Sequence, residues 1–196
     1  MSIQPDSKIN LINYCICHFG YKKYLEIGCK QDKAFAAANA EYRVGVDPVS
    51  GGTHRMTSDE YFSKFNENFD LIFIDGLHQH QQVIRDIENS LSRLSANGTI
   101  LMHDCNPQQE LHQRPEPVPG VWNGDVWKAY VHYRQRADLD MITGDFSEGM
   151  GIIRVRGNTD PIKLQTPCSE LTWEDLVENR QRWLRLTNPD QVKNWL

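Results

Sequence analysis

The sequence predicts an α/β fold in which a doubly wound, mostly parallel sheet of about seven strands carries helices on both faces. One observation behind this is the alternation of short apolar segments with amphipathic or alanine-rich segments along the chain. Another is residues 69–75, which are apolar apart from two acids, as expected of a central parallel strand covered on both faces. A chain of 196 residues is long enough to bury a substantial core as one domain.

In the first half of the chain, the predicted elements are helices at residues 9–19, 32–40 and 57–65 and strands at residues 24–27, 43–47 and 69–75. The first two helices follow from apolar spacing and from alanine content. Thr57 and Glu60 fit a capping box that opens the third helix. Residues 48–52 are loop-forming and leave no room for a full crossover helix, so a further strand is expected directly after them.

In the second half, the predicted elements are helices at residues 79–94, 125–133 and 172–186, a short last helix opened by Asn188-Pro189, and strands at residues 99–102, 139–143 and 150–155. Asn97-Gly98 is expected to end the first of these helices, and the last two strands to form a hairpin. Residues 105–122 contain four prolines and follow the carboxyl end of a central strand. A loop of that length in that place predicts a substrate lid.

The composition and charge of the chain argue against nucleic-acid and membrane partners. The formal net charge is -5 and the pI is about 5.8, which disfavours a nucleic-acid partner. No apolar run approaches the roughly 18 residues of a membrane span, so no membrane partner is expected. Five cysteines without a framework spacing indicate reduced thiols and a cytoplasmic protein.

One pair of strand ends predicts a nucleoside site. The run Tyr24-Leu25-Glu26-Ile27-Gly28 ends at an acid and a glycine, and the run Arg43-Val44-Gly45-Val46-Asp47 ends at an acid. A strand, a glycine turn, a helix and a second strand tipped with a carboxylate form the layout in which backbone approaches a ligand and the carboxylate accepts hydrogen bonds from ribose hydroxyls.

A second pair of strand ends predicts a polar site. Asp75 and Asp104 end two strands expected to be neighbours, so their carboxylates should converge, and they then need a proton or a cation between them. His78, His80 and His103 enrich the same region with imidazole. His78 is the first choice for a general base, whereas His80 and His103 are expected to be structural or supporting.

Several segments together resemble class I S-adenosylmethionine (SAM)-dependent methyltransferases: Tyr-Leu-Glu-Ile-Gly-Cys, Gly-Val-Asp-Pro, Phe-Asp-Leu-Ile-Phe-Ile-Asp-Gly-Leu-His and Gly-Thr-Ile-Leu-Met-His-Asp. The resemblance runs from about residue 21 to residue 155 in the expected order. It is strongest to a small bacterial branch with Ile-Asp-Gly-x-His and His-Asp elements, associated with sugars and secondary metabolites. The segment from Asn123 to Ala129 also looks like that branch, without an assignable chemical role.

The resemblance implies a Rossmann-like methyltransferase sheet that binds SAM. The implied cofactor-binding residues are Glu26 and Gly28 at the methionine end, Asp47 at the ribose, Ser58 and Asp59 at the adenine, and Asp75 beside them. For Ser58 and Asp59, simple helix capping is an equal alternative. Lys30 and Asp32 depart from the family pattern, because they stand where the second and third glycines of the first loop are usual, and their side chains are expected to narrow the pocket.

The implied reaction is O-methylation of a small hydroxylated acceptor, with His78, Asp75 and Asp104 as catalytic residues. Metal-dependent relatives bind magnesium through acids at the two aspartate positions, so Asp75 and Asp104 are also the expected ligands of Mg²⁺ or another divalent cation. Those relatives carry an asparagine directly after the second acid. Here Cys105 occupies that position and Asn106 follows it, so the third ligand is displaced or missing.

The expected organisation is a SAM-binding domain at residues 1–156, with the lid at 105–122, and a helical extension at 157–196 packed on the same domain or on a second subunit of a homodimer. Trp122 and Trp127 bracket the end of the lid and either pack in the core or stack on the acceptor. The alternatives to a methyltransferase are a non-catalytic module with this fold, a metal-dependent enzyme of different chemistry that uses the Asp/His cluster, and a nicotinamide-dependent oxidoreductase. The last lacks the required Gly-x-Gly-x-x-Gly.

Overall fold

The computed structural model describes residues 3–196 and contains one mixed sheet. Within those residues the strands are β1 (Lys23–Ile27), β2 (Tyr42–Val46), β3 (Phe69–Ile74), β4 (Leu94–Met102), β5 (Leu139–Gly144), β6 (Met150–Val155) and β7 (Leu186–Thr187). The helices are α1 (Lys8–Phe19), α2 (Lys33–Ala37), α3 (Ser58–Lys64), α4 (His80–Ser92), α5 (Val126–Tyr133), α6 (Trp173–Leu184) and α7 (Pro189–Trp195). Two short 3₁₀ turns lie at Glu110–Gln113 and Cys168–Glu170.

The strand order is β2-β1-β3-β4-β6-β5-β7. The first four strands in this order are parallel, β6 runs antiparallel to both β4 and β5, and β7 is parallel to β5. The doubly wound α/β fold and the β5–β6 hairpin are therefore confirmed. Because the chain leaves β1 outward to β2 and then returns to β3, the strand order reverses between β1 and β3, which is where open α/β sheets bind ligands.

The two faces of the sheet bury separate apolar clusters, as the period of two along a strand requires. Leu25 and Ile72 face one cluster, which α3, α4, α5 and α6 cover. Tyr24 and Leu71, one residue earlier on the same strands, face the other cluster, which α1, α2 and α7 cover. The segment after residue 156 contributes to both clusters, since α6 lies in the first and α7 in the second.

Three predicted elements differ from the structure. The strand expected after residues 48–52 is reduced to one parallel bridge between Val46 and His54. The helix predicted at 32–40 ends at Ala37, because the Asn13 side chain donates to the Ala37 carbonyl oxygen at 2.9 Å and accepts from the Asn39 N–H at 2.8 Å. These bonds replace the next helical turn.

The third difference lies at the start of β4. Helix α4 ends at Ser92, and β4 already begins at Leu94, with Asn97 in the left-handed region and a register irregularity against β3. Asn97-Gly98 therefore bends a strand and does not end the helix. The predicted capping box of α3 is confirmed, since Thr57 and Glu60 bond each other's backbone N–H groups.

Truncating the core side of α6 should destabilise the whole domain. Leu184 is fully buried, so Leu184→Ala should lower the free energy of unfolding by about 2–5 kcal/mol. Val177, on the same helix, is 53% exposed, and Val177→Ala should change it by less than about 1 kcal/mol. Urea unfolding followed by tryptophan fluorescence measures both. Equal, small effects would show that α6 does not belong to the cooperative core.

Candidate active site

The site lies where β3 and β4 end side by side. These strands are parallel, with Ile74 paired to Met102, so Asp75 and Asp104 leave the sheet at the same edge. Two imidazoles lie between their carboxylates. His78 Nε2 is 3.5 Å from Asp75 Oδ1 and 3.4 Å from Asp104 Oδ2, and His103 Nδ1 is 3.4 Å and 2.8 Å from the same two oxygens.

Helix α1 adds a positively charged side chain to this cluster. Lys8 Nζ lies 2.9 Å from Asp75 Oδ2 and 5.9 Å from the centre of the Phe73 ring. The sequence offers no signal for this contact, because Lys8 belongs to the first helix and reaches the site only through the packing of α1 across the sheet. Lys8 is therefore a site residue that sequence reasoning missed.

The charges in the cluster stabilise one another. Burial raises the pKa of a carboxyl group, but hydrogen bonds from His103 and His78 outweigh it and hold the pKa of Asp75 well below its usual range. Burial lowers the pKa of an imidazole, but hydrogen bonds to Asp104 and Asp75 outweigh it and raise the pKa of His103 to about 9. At neutral pH, His103 and Lys8 therefore balance the two carboxylates.

The backbone at Asp104 is strained. Its φ of +63° is in the left-handed region, which non-glycine residues rarely adopt. The buried Asn123 side chain donates from Nδ2 to Asp104 Oδ1 at 2.8 Å, which helps to hold the carboxylate in place. Strain of this kind persists only where surrounding contacts enforce it and is common at functional sites.

The segment Asn123-Gly124-Asp125, which received no role from the sequence, joins the end of the loop at residues 105–122 to the site. A Cβ on Gly124 would lie 1.8 Å from the His78 carbonyl oxygen, so only glycine fits there. Asp125 accepts from the His80 backbone N–H at 2.7 Å, and its other oxygen lies 2.6 Å from His80 Nδ1. His80 thus pairs with Asp125, outside the cluster around Asp75.

The loop at residues 105–122, the predicted lid, approaches the site through Trp122. Its ring stacks on His78 with centroids 4.7 Å apart, and its carbonyl oxygen lies 3.2 Å from His78 Nδ1. Trp127 is fully buried and stacks on Trp183, with ring centroids 6.4 Å apart, so it has no free face for an acceptor.

The asparagine nearest in sequence to Asp104 faces away from the cluster. Asn106 donates to Asp145 at 2.9 Å and accepts from Arg180, a residue of α6. Cys105 is buried, and its sulfur lies near Gly151 and Tyr130. Neither residue therefore supplies a ligand beside Asp104.

The predicted nucleoside side lies at the ends of β1 and β2. Gly28 has φ +88°, and a Cβ there would lie 2.1 Å from the Asp75 carbonyl oxygen, so the first turn requires glycine. Asp47 accepts from the backbone N–H groups of Lys30, Val49 and Ser50 at 2.8–2.9 Å. These bonds, against the opposing effect of burial, lower the pKa of Asp47.

Lys30 and Asp32 keep the backbone of a glycine loop. Both have positive φ, 48° and 59°, although they carry side chains. The Lys30 side chain is exposed. Asp32 Oδ1 accepts from the Gly52 N–H at 2.7 Å and so ties the first loop to the loop after β2.

Glu26 is a buried carboxyl group beside this turn. The Tyr24 hydroxyl donates to it. Burial raises the pKa of Glu26 to about 7, although the hydrogen bond from Tyr24 acts in the opposite direction. Glu26 therefore changes charge near neutral pH, an unusual property for an acid at a strand end.

Ser58 and Asp59 both contact α4. Ser58 donates to Asp86 at 2.6 Å, and Asp59 pairs with Arg85 at 3.2 Å. Asp86 is 1% exposed, and burial raises its pKa to about 6. The sequence offered one signal for Asp86, namely an acid on the apolar face of a predicted helix.

A candidate cation position follows from this geometry. Asp75, His78 and Asp104 each offer a ligand atom, and these atoms lie within 4.8 Å of one another.

No helix within residues 3–196 has the length and apolarity needed to cross a membrane.

Comparison with known proteins agrees with this geometry. A family described as a methyltransferase domain matches residues 9–105, about half of the chain. Among proteins of curated function, none matches the sequence.

Solved structures share the fold. A methyltransferase of Podospora anserina, bound to S-adenosylhomocysteine (SAH), superposes with a TM-score of 0.59 at 18% identity, covering 76% of this chain and 78% of that one. An O-methyltransferase of Bacillus cereus in complex with SAH superposes with a TM-score of 0.56 at 13% identity, covering 74% of this chain and 79% of that one. The O-methyltransferase TomG of Streptomyces achromogenes, in complex with SAM, superposes with a TM-score of 0.55 at 12% identity, covering 75% of this chain and 78% of that one.

Fold and family match together define a Rossmann-like methyltransferase. The chain belongs to the class I SAM-dependent methyltransferases. It is a SAM-dependent enzyme.

Glycine at position 124 should be essential for the site. Gly124→Ala should destabilise the protein by more than about 3 kcal/mol, because the new Cβ meets the His78 carbonyl in addition to the left-handed strain. Gly120, four residues earlier, also has positive φ, but a Cβ added there would meet no atom within 4 Å, so Gly120→Ala should cost only about 1 kcal/mol. Urea unfolding compares the two variants, and equal losses would contradict the close contact.

Proposed function

We propose that the chain O-methylates a small hydroxylated molecule, such as a sugar or a secondary metabolite. The observation that carries the proposal is the meeting of two carboxylates and two imidazoles at the ends of β3 and β4, next to the Gly28 turn. The O-methyltransferases of similar fold, bound to SAM or SAH, support it. The acceptor itself is not encoded in any recognisable motif of the lid.

The reaction is a direct in-line displacement. The acceptor oxygen attacks the methyl carbon of the sulfonium, the carbon–sulfur bond breaks, and S-adenosylhomocysteine (SAH) leaves. The protein positions the two reactants and accepts the proton of the hydroxyl. Asp47 holds the ribose hydroxyls, with Gly28 admitting the cofactor against the backbone. Glu26 accepts hydrogen bonds from the cofactor amino group.

We assign proton acceptance to His78. Because the Trp122 carbonyl oxygen lies 3.2 Å from His78 Nδ1, Nδ1 carries the hydrogen when the ring is neutral, and Nε2, between Asp75 and Asp104, is the atom that takes up the proton. Burial lowers the pKa of His78, but the hydrogen bond that protonated Nε2 donates to Asp75 and the negative charges of Asp104 and Asp75 outweigh it and raise that pKa, which favours proton uptake. The two carboxylates orient the acceptor hydroxyl toward the methyl group. Ser58 and Asp59 are proposed to contact the adenine from the start of α3.

The residues present also fit a divalent cation. The carboxylates of Asp75 and Asp104 each offer an oxygen, and these two oxygens and a His78 ring nitrogen lie within 4.8 Å of one another. Oxygen ligands suit Mg²⁺, so the two carboxylates would hold it and leave His78 to accept the proton. A cation held by Asp75 and Asp104 would lower the pKa of the acceptor hydroxyl.

Separate variants should distinguish the cofactor side from the acceptor side. Asp47→Ala should abolish SAH binding in calorimetry, because it removes the ribose carboxylate. Asp104→Ala should leave SAH affinity within about threefold of wild type and stop SAH release from SAM with a panel of sugars and phenols. Wild-type turnover by Asp104→Ala on an accepted substrate would show that the acceptor lies elsewhere.

Cofactor affinity should depend on pH through Glu26. Its folded-state pKa of about 7 means that the group is protonated below neutral pH and must lose that proton to accept bonds from an ammonium group. SAH affinity should therefore fall as pH decreases below about 7, toward tenfold per pH unit. Calorimetry between roughly pH 5.5 and pH 8 measures this.

Glu26→Gln is the matched variant for that measurement. It should bind SAH more weakly at pH 8 and show a flatter pH profile, because the amide does not titrate. A wild-type affinity that is constant across the range, or a Glu26→Gln profile as steep as that of wild type, would contradict the role of Glu26.

A further inference from the structure

The start of α1 places a charged side chain, Lys8, at the edge of the sheet where the cofactor binds. Helix α1 leads directly into the start of β1, so its first residue lies at the opposite end, where β1 and β3 finish. The Lys8 backbone N–H donates to the Ser147 hydroxyl at 3.1 Å, in the turn between β5 and β6, which fixes the position of this first residue. The Lys8 side chain is 30% exposed, so a ligand can reach it.

Lys8 lies between two acidic side chains. Its Nζ is 2.9 Å from Asp75 Oδ2 and 5.9 Å from the centre of the Phe73 ring. Phe73 on β3 pairs in register with Glu26 on β1, so the side chains of these two residues point to the same face of the sheet, on strands about 5 Å apart. Burial raises the pKa of Glu26, and the charge of Lys8 is one of the effects that oppose it.

We propose that Lys8 binds the carboxylate of the cofactor's methionine part and leaves Asp75 when the cofactor enters. The inference rests on the proposed function, which places the cofactor amino group at Glu26, and it deepens that function. The amino group and the carboxylate of an amino acid are attached to one carbon atom. A cofactor whose amino group reaches Glu26 therefore brings a carboxylate close to Glu26 and Asp75, where it needs a positively charged partner.

The exchange of partners leaves Asp75 compensated. Its Oδ1 lies 3.5 Å from His78 Nε2 and 3.4 Å from His103 Nδ1, so two imidazoles stay beside the carboxylate when Lys8 leaves Oδ2. Oδ2 then becomes available to the acceptor hydroxyl. Cofactor binding thus prepares the acceptor side of the site.

Lys30, in the first loop, is the other lysine close to the predicted cofactor site. Its backbone N–H donates to Asp47 Oδ2 at 2.9 Å, which places it at the ribose end of the cofactor, and its side chain is exposed. It carries the same functional group as Lys8 at the other end of the site. Lys30 therefore serves as the matched control.

The test compares two ligands that differ by the carboxylate alone. Calorimetry on the full chain measures the affinity for SAH and for decarboxylated SAH, which keeps the amino group, at roughly pH 8, where Glu26 is ionised. Wild type should bind SAH at least about tenfold more tightly than the decarboxylated ligand, because a charge-assisted hydrogen bond is lost with the carboxylate.

Variants of the full chain then assign that ratio of affinities. Lys8→Met keeps the length of the side chain without its charge and should reduce the ratio to below about threefold, whereas Lys8→Arg should restore most of it. Lys30→Met should keep the wild-type ratio. Asp75→Asn removes the carboxylate that competes for Lys8 and should raise the ratio above the wild-type value.

The outcomes separate this inference from the proposed function. Equal ratios in wild type and Lys8→Met, a ratio reduced in Lys30→Met instead, or a ratio reduced in Asp75→Asn would each overturn the assignment. If the ratios were equal but a hydroxylated acceptor were methylated, the proposed function would stand without this role of Lys8. If the ratios followed the expected pattern but no hydroxylated acceptor were methylated, the role of Lys8 would stand and the proposed function would fail.

Discussion

The structure depends most on the pairing of Asp75 and Asp104 with the imidazoles of His78 and His103. Two carboxylates at neighbouring strand ends, one buried and one partly buried, repel each other, and the energy of that repulsion grows as water is excluded. The imidazoles, together with Lys8, make the arrangement stable. Helix α1 therefore has two roles. It covers apolar side chains on one face of the sheet, and it places the positively charged Lys8 side chain beside Asp75.

The same pairing explains why the lid ends where it does. The contacts of Asn123 with Asp104 and of Gly124 with the backbone of His78 join the lid to both strand ends at once. Asp125 extends this attachment to His80. The residues directly after Trp122 are therefore held in place by contacts with the residues that follow β3 and β4.

Much of the fold could be predicted because its signals are local. Apolar runs, the Thr57 capping box and the strand-end acids all act within a few residues of the chain. The errors arose from distant partners: the Asn13 side chain shortens α2, and a register irregularity lets β4 begin early. Within the site, Asp75, Asp104 and His78 follow from strand order, whereas Lys8 and Asn123 come from elements far away in sequence, whose contacts no periodicity encodes.

The polarity of the cluster favours a hydroxyl acceptor over an amine. A hydroxyl is neutral at working pH, can donate to a carboxylate and still present a lone pair to the methyl group, and His78 is the proposed acceptor of its proton. A protonated amine has no lone pair for attack. Lys8 and His103 add positive charge beside the site, which opposes the binding of an ammonium group and stabilises the developing alkoxide. The arrangement of charge thus supports the proposal that the nucleophile is an oxygen.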